Sequence, residues 1–119
     1  MSLLPRSESD PVLGTDGVGG FYEQFADGRL ICYASDPNTR TTGLAVGDVF
    51  RSSAWIATFP FPFIDPPIVQ CGADYVSGTS LLGAGQAGAA TTTQVTMRIN
   101  GSVNSSVGRL NYVAFGRWK

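Results

Sequence analysis

Residues 91–100, TTTQVTMRIN, place Thr93, Val95, Met97 and Ile99 on one parity and Gln94, Thr96 and Arg98 on the other. An extended backbone sends successive side chains to opposite sides, so a strict period of two predicts a strand with one face toward a core. The rest of the chain offers no rival helical period. It has 15 glycines and 7 prolines in 119 residues, many Thr and Ser, and few of the Glu, Lys and Leu residues that fill amphipathic helices. The expected fold is all-β, and the length suits one domain.

Read in order, residues 1–19 mix Pro, Ser, Asp and Gly without periodicity, which predicts an N-terminal arm or attachment segment. The domain is expected to occupy residues 20–119. In GFYEQFADGRLICYAS, Asp27-Gly28 separates two apolar runs and tolerates the positive φ of a two-residue hairpin turn. Residues 36–52 read as an irregular crossing. In WIATFPFPFIDPPIVQ, residues 55–70, Trp55, Ala57, Phe59, Phe61 and Phe63 share a parity, while Pro60 and Pro62 lack the N–H a ladder needs. That predicts a sheet edge, or the point where a strand leaves its sheet. Val69, Cys71, Ala73 and Tyr75 then alternate with Gln70, Gly72 and Asp74. SGTSLLGAGQAGAAT reads as a small-residue loop and GSVNSSVG as a polar connection. RLNYVAFGRW is apolar on both parities, as in a central strand covered on two sides. About six antiparallel strands in a β-sandwich is the economical arrangement.

Composition limits the chemistry. With no histidine in the chain, Ser-His and Cys-His nucleophile pairs are impossible and zinc loses its commonest ligand. Two cysteines, Cys32 and Cys71, cannot close a structural zinc site; each lies in an apolar segment and reads as a buried thiol, with a disulfide left open. The carboxylates available for glycoside hydrolysis are Glu23, Asp27, Asp48, Asp65 and Asp74, most of them in turns where Asp is common for backbone reasons. GTDGVGG and GAGQAG lack the strand, helix and lysine of a phosphate loop. Not an enzyme, and without metal or cofactor, is the resulting expectation. A net charge of −1 argues against a nucleic-acid footprint, no apolar run is long enough to span a bilayer, and MSLLPRSESDPVLG lacks a signal pattern.

Binding remains. Arg98, Asn100, Asn104, Arg109, Asn111 and Arg117 fall in the final third with Tyr112 and Trp118, and Asp74 and Tyr75 are added from the preceding strand. Asn, Asp and Arg beside an aromatic ring are the side chains that hold a sugar, by hydrogen bonds and by packing on its C–H face. Ligand-binding candidates are therefore Asp74, Tyr75, Arg98, Asn100, Asn104 and Arg109. The aromatics Trp55, Phe59, Phe61, Phe63 and Trp118 are expected in the core or between protomers.

The ordered combination of FYEQFADGRLICY, a Trp followed by TFPFPFIDPPIVQ, the Thr-rich strand and a terminal VAFGRW resembles the C-terminal receptor-binding domain of bacteriophage tail fibres, and also the H-type lectin fold. The resemblance covers residues 19–118. It implies a homotrimer at the tip of a virion fibre or spike, assembled in the host cytoplasm, that binds host polysaccharide or lipopolysaccharide and contacts other virion proteins through residues 1–19. Weak sugar sites gain strongly when linked copies engage together. The alternatives are a structural decoration or cap protein that binds only virion partners, and a cellular H-type lectin.

Overall fold

The computed structural model describes residues 11–79 and 81–119; most of the expected attachment segment, residues 1–10, lies outside them. Its strands are β1 (Val12–Thr15), β2 (Gly20–Gln24), β3 (Arg29–Ser35), β4 (Arg40–Thr41), β5 (Leu44–Val46), β6 (Val49–Arg51), β7 (Trp55–Thr58), β8 (Ile68–Ser77), β9 (Leu81–Gln86), β10 (Gln94–Gly101) and β11 (Val107–Arg117). Every pairing is antiparallel. The first sheet runs β1-β2-β3-β11, with β4 and β8 also on β11; the second runs β5-β6-β10-β7, with β9 on the free edge of β10. The fold is an all-β sandwich.

The number of strands exceeds the six expected, because short segments gain order from pairing that local composition does not signal. The crossing at 36–52 contains β4, β5 and β6, with Gly47 at φ 60° in the turn of the β5–β6 hairpin. The small-residue loop contains β9, which β10 recruits by hydrogen bonding to its backbone. Residues 12–15 of the expected arm form β1, laid along β2 from Val12 opposite Gln24 to Thr15 opposite Phe21.

Two turns differ in detail from expectation. Phe25 donates its N–H to the Arg29 carbonyl and accepts from the Gly28 N–H, with Gly28 at φ 104°, so the β2–β3 loop has three residues closed by a glycine bulge, not two. The C-terminus clamps that loop. Trp118 donates its backbone N–H to the Gly28 carbonyl at 2.9 Å and its indole N–H to the Phe25 carbonyl at 2.7 Å, and Arg117 donates to the Asp27 carbonyl at 2.6 Å.

The FPFPF run is a crossing between sheets. Strand β7 ends at Thr58; Phe59 and Phe63 then donate to the Thr93 and Thr92 carbonyls beside β10, and Ile64 donates to the Arg117 carbonyl at the end of β11. Pro60 and Pro62 fall between Phe59 and Phe63, whose N–H groups are used, which is why the sequence tolerates two prolines here. Phe59 and Phe63 pack edge to face at 5.1 Å and are buried. Phe61 packs on Tyr22 at 5.2 Å and Trp55 on Tyr112 at 5.8 Å. All four rings, and Trp118, thus belong to this chain's own core or its margin.

The core is the layer between the sheets, filled by Leu30, Cys32, Val69, Leu110, Tyr112 and Ala114 from the first and Ala57, Val95, Met97 and Ile99 from the second. Cys32 and Cys71 are free thiols. They sit on β3 and β8, on opposite sides of β11, so roughly two strand spacings, over 9 Å, separate them. That exceeds disulfide reach.

Strand β11 departs most from its sequence pattern. It is central in its sheet, flanked by β3 and β8, yet only one of its faces is covered. Leu110, Tyr112 and Ala114 are buried while Val113 and Phe115 on the other parity are exposed. Its apolar outer parity therefore lies on a molecular surface.

Candidate functional site

Cross-strand register builds that surface. On the outer face of the first sheet Phe21 is opposite Tyr33, and Tyr33 is opposite Val113. Next along the strands, Ser35 is opposite Asn111, and Asn111 is opposite Gly72. Arg109 is opposite Asp74. The alternation that buries Leu30, Cys32 and Leu110 necessarily sends these residues outward.

The rings of Phe21 and Tyr33 stack at 5.7 Å with planes 21° apart. They wall a cleft of about 290 Å³, completed by Gly19, Ser35, Asn111 and Val113. A Cβ on Gly72 would sit 2.5 Å from the Asn111 Oδ1, so glycine there lets the Asn111 side chain lie over β8. Its amide donates to the Asp74 carboxylate at 3.4 Å. The cleft thus joins an apolar aromatic wall to an amide and a hydroxyl, with a carboxylate next along. Such a combination suits a polyhydroxylated ring, which has an apolar C–H face and a rim of donors and acceptors.

A second cleft, of about 240 Å³, opens at the same end of β2 and β3 and shares Ala34 and Ser35 with the first; Asp16, Val18, Trp55 and Thr58 line it. The β1–β2 turn stands between the two. This turn is the GTDGVGG stretch: Asp16 accepts the N–H groups of Val18 and Gly20 on one carboxylate oxygen, at 2.8 and 2.9 Å, and Gly17 and Gly19 take positive φ. Its glycines serve a tight turn, not a phosphate cradle. Trp55 of this cleft packs on Tyr112, whose hydroxyl is buried without a hydrogen-bond partner among the described residues.

The residues picked from sequence do not form one site. Asp74 and Arg109 stand together on the outer face of the first sheet, next to Asn111. Arg98 and Asn100 point outward from β10 in the second sheet, on the opposite side of the sandwich. Asn104 is exposed in the β10–β11 loop. That loop is held by Thr42, whose hydroxyl donates to the Val103 carbonyl and accepts the Ser106 N–H. Tyr75 is exposed near the far end of β8, just before a register shift, and donates to the Gly78 carbonyl. Tyr112 is core and unavailable to a surface ligand. Arg117 serves the C-terminal clamp.

Sequence reasoning missed Phe21, Tyr33, Ser35 and Asp16. The signal for the first two was present: in β2 the adjacent Phe21 and Tyr22 occupy both parities, so one had to face outward, and in β3 Tyr33 lies on the parity opposite to Leu30 and Cys32. No group of three or more His, Cys, Asp or Glu is arranged to hold a metal ion among the described residues.

No protein-family model matches the chain, and no curated protein matches it. Among solved structures, it is similar to the R2 pyocin fibre of P. aeruginosa, in a structure comprising C-terminal residues 323–691 of that fibre, with a TM-score of 0.53 and 24% sequence identity. The match covers 90% of this chain and 25% of the fibre chain, so the protein spans about a quarter of the length of its structural neighbour. At that identity the likeness establishes a shared fold: the sandwich of this chain is one that also occurs in a pyocin fibre.

Proposed function

We propose that the protein is a receptor-binding module of a virion fibre or spike, recognising a glycan of the host envelope such as lipopolysaccharide or capsule. The observation that carries this reading is the cleft where the stacked Phe21–Tyr33 pair meets Ser35 and Asn111 on the outer face of the first sheet. The fold shared with a pyocin fibre supports it. The cleft is small and shallow and suits one sugar residue, so individual affinity is weak and avidity comes from several copies. The test is whole-cell adsorption together with arrays of host envelope polysaccharides. Saturable binding that Tyr33→Ala removes supports the proposal; no signal for any envelope component sinks it.

A second reading is favoured by what surrounds the cleft. Leu13, Phe21, Tyr33, Ile68, Val113 and Phe115 leave between 36% and 70% of their surface to solvent, and Ile31 lies among them. Ile31, Phe115 and Ile68 are opposite one another in register, as are Phe21, Tyr33 and Val113, with Glu23 setting Leu13 apart; an apolar face of this kind marks an interaction surface, and stable interfaces bury about 800 Å² per partner. On this reading the face is where copies of the chain assemble into a trimer, and the protein is a structural virion component. Light scattering on the isolated chain tests it: a trimer mass lost in Phe115→Asp supports assembly through this face, and a monomer at all concentrations excludes it.

A further inference from the structure

The second sheet carries an arginine pair that the cleft does not use. Val95, Met97 and Ile99 of β10 are buried, so Arg98 and Asn100 project outward. Asn100 is opposite Arg51 of β6, and Arg51 is opposite Leu44 of β5. Residues opposite one another share a face, and diagonal neighbours lie about 7–8 Å apart, which puts Arg51 and Arg98 side by side around Asn100. On the other flank Asn100 and Arg98 face Gly83 and Gly85 of β9. A Cβ at either glycine would meet nothing within 4 Å, so the space beside the two polar side chains is open.

The electrostatics of this face are unbalanced. The only carboxylate in the described second sheet or its β5–β6 turn is Asp48, in that turn. Neither arginine has an ion-pair partner among the described residues. Arg98 spends one donor on the Ser52 carbonyl at 3.2 Å. The Nε of Arg51 is buried and has no hydrogen-bond partner among the described residues, a costly state for a charged donor. Two neighbouring guanidinium groups without a counter-charge repel, and an oxyanion between them removes the repulsion and accepts their free donors in the fork geometry that arginine favours.

We propose that Arg51, Arg98 and Asn100 form a binding site for an oxyanion, the phosphate or carboxylate substituent of an acidic saccharide, on the sandwich face opposite the aromatic cleft. The saccharide part of this assignment rests on the function proposed above; the anion part rests on the arginine pair alone. A nucleic acid is disfavoured as the source of the phosphate, because two arginines on a chain of net charge −1 make no extended basic footprint.

The experiment is a titration of the isotope-labelled full chain followed by NMR, including the Arg Nε–H signals. Glucose 6-phosphate, glucuronate and neutral methyl glucoside are added to separate samples. The expected result is a saturable shift of the Arg51 and Arg98 signals with at least one acid and none with methyl glucoside; the comparison of the two acids identifies phosphate or carboxylate. Arg98→Gln should weaken the response about tenfold or more, the effect of losing one charge-assisted contact, while Arg98→Lys retains part of it. Arg51→Gln, with an otherwise unchanged spectrum, provides the second variant. The proposal is overturned by no saturable shift with either acid, by equal shifts with methyl glucoside, by shifts spread over Arg29 and Arg117 as well, or by tighter binding of a short oligonucleotide. Failure of the cleft reading registers separately, at the Phe21 and Tyr33 amides.

Discussion

Phe21 and Tyr33 face each other across β2 and β3 with ring centroids 5.7 Å apart, stacked on a surface and not in the core. Stacked aromatics left in water stabilise the hairpin modestly and offer a flat apolar wall to a ligand. Substituting Tyr33 by Ala is expected to reduce cell adsorption tenfold or more in a multivalent format while costing only about 1 kcal/mol of stability. Adsorption and thermal melting measured on the same preparation check this. A large drop in melting temperature with unchanged adsorption would assign the pair to structure alone.

Asp36 is fully buried, and its carboxylate accepts from Arg40, whose guanidinium also donates to the Ser53 hydroxyl at 3.0 Å and the Ala54 carbonyl at 2.9 Å. This network ties the β3–β4 turn to the segment before β7. Arg40→Met strands a buried carboxylate and is expected to cost about 3–5 kcal/mol. Arg29 and Asp27 form the contrasting exposed pair at 2.8 Å, where solvent screens the charges and Arg29→Met should cost much less. Urea denaturation of both variants tests the difference, and equal losses would contradict the burial argument.

Burial pushes the Cys32 thiol up to about 12, against a smaller opposing effect of the Phe61 backbone. Burial also raises the Tyr112 hydroxyl, with the neighbouring Cys32 and Asp16 adding to the rise. Both groups are held neutral by the fold and ionise more readily when unfolded. Their contribution is complete below pH 9, the ordinary thiol value, and is lost as pH climbs toward their folded values, because the unfolded chain then releases protons that the folded one keeps. Stability should fall from about pH 9 upward, and Cys32→Ala should flatten the first part of that fall. Thiol labelling at pH 8.5 should modify half-buried Cys71 before Cys32.

Gly28 combines φ 104° with a site where a Cβ would lie 2.7 Å from the Lys119 carbonyl oxygen and against the Arg117 guanidinium. Gly28→Ala therefore strains the turn and displaces the C-terminal clamp together. A loss of about 1–3 kcal/mol is expected. Trp118→Phe, which deletes only the indole donor to Phe25, should cost about 1 kcal/mol. Guanidinium melts rank the two; a larger loss for Trp118→Phe would show that the indole, not the glycine, organises this end.

Local pattern was enough to determine the all-β class, the β2–β3 hairpin and the inward parity of β10, because each follows from side-chain alternation or from a single residue's backbone preference; the freedom of the two thiols was decided by the register that sets β11 between them. It was also enough to place Trp55, Phe59 and Phe63 on one parity. The short strands β4, β5, β6 and β9 were not legible, since their order comes from the edges of β10 and β11, which are distant in sequence. Only the tertiary structure decided that the Val113 and Phe115 face of β11 is left uncovered. In RLNYVAFGRW Leu110, Tyr112 and Ala114 share one parity, which the second sheet covers, while Val113 and Phe115 share the other with Arg109, Asn111 and Arg117. That choice turns Val113, Phe115, Phe21 and Tyr33 into surface and puts Arg98 and Asn100 on the opposite side of the molecule from Asp74 and Arg109. Residues close in sequence and alike in chemistry were separated by the sandwich, because two layers have two outer faces and a sequence pattern of period two does not say which layer a strand joins.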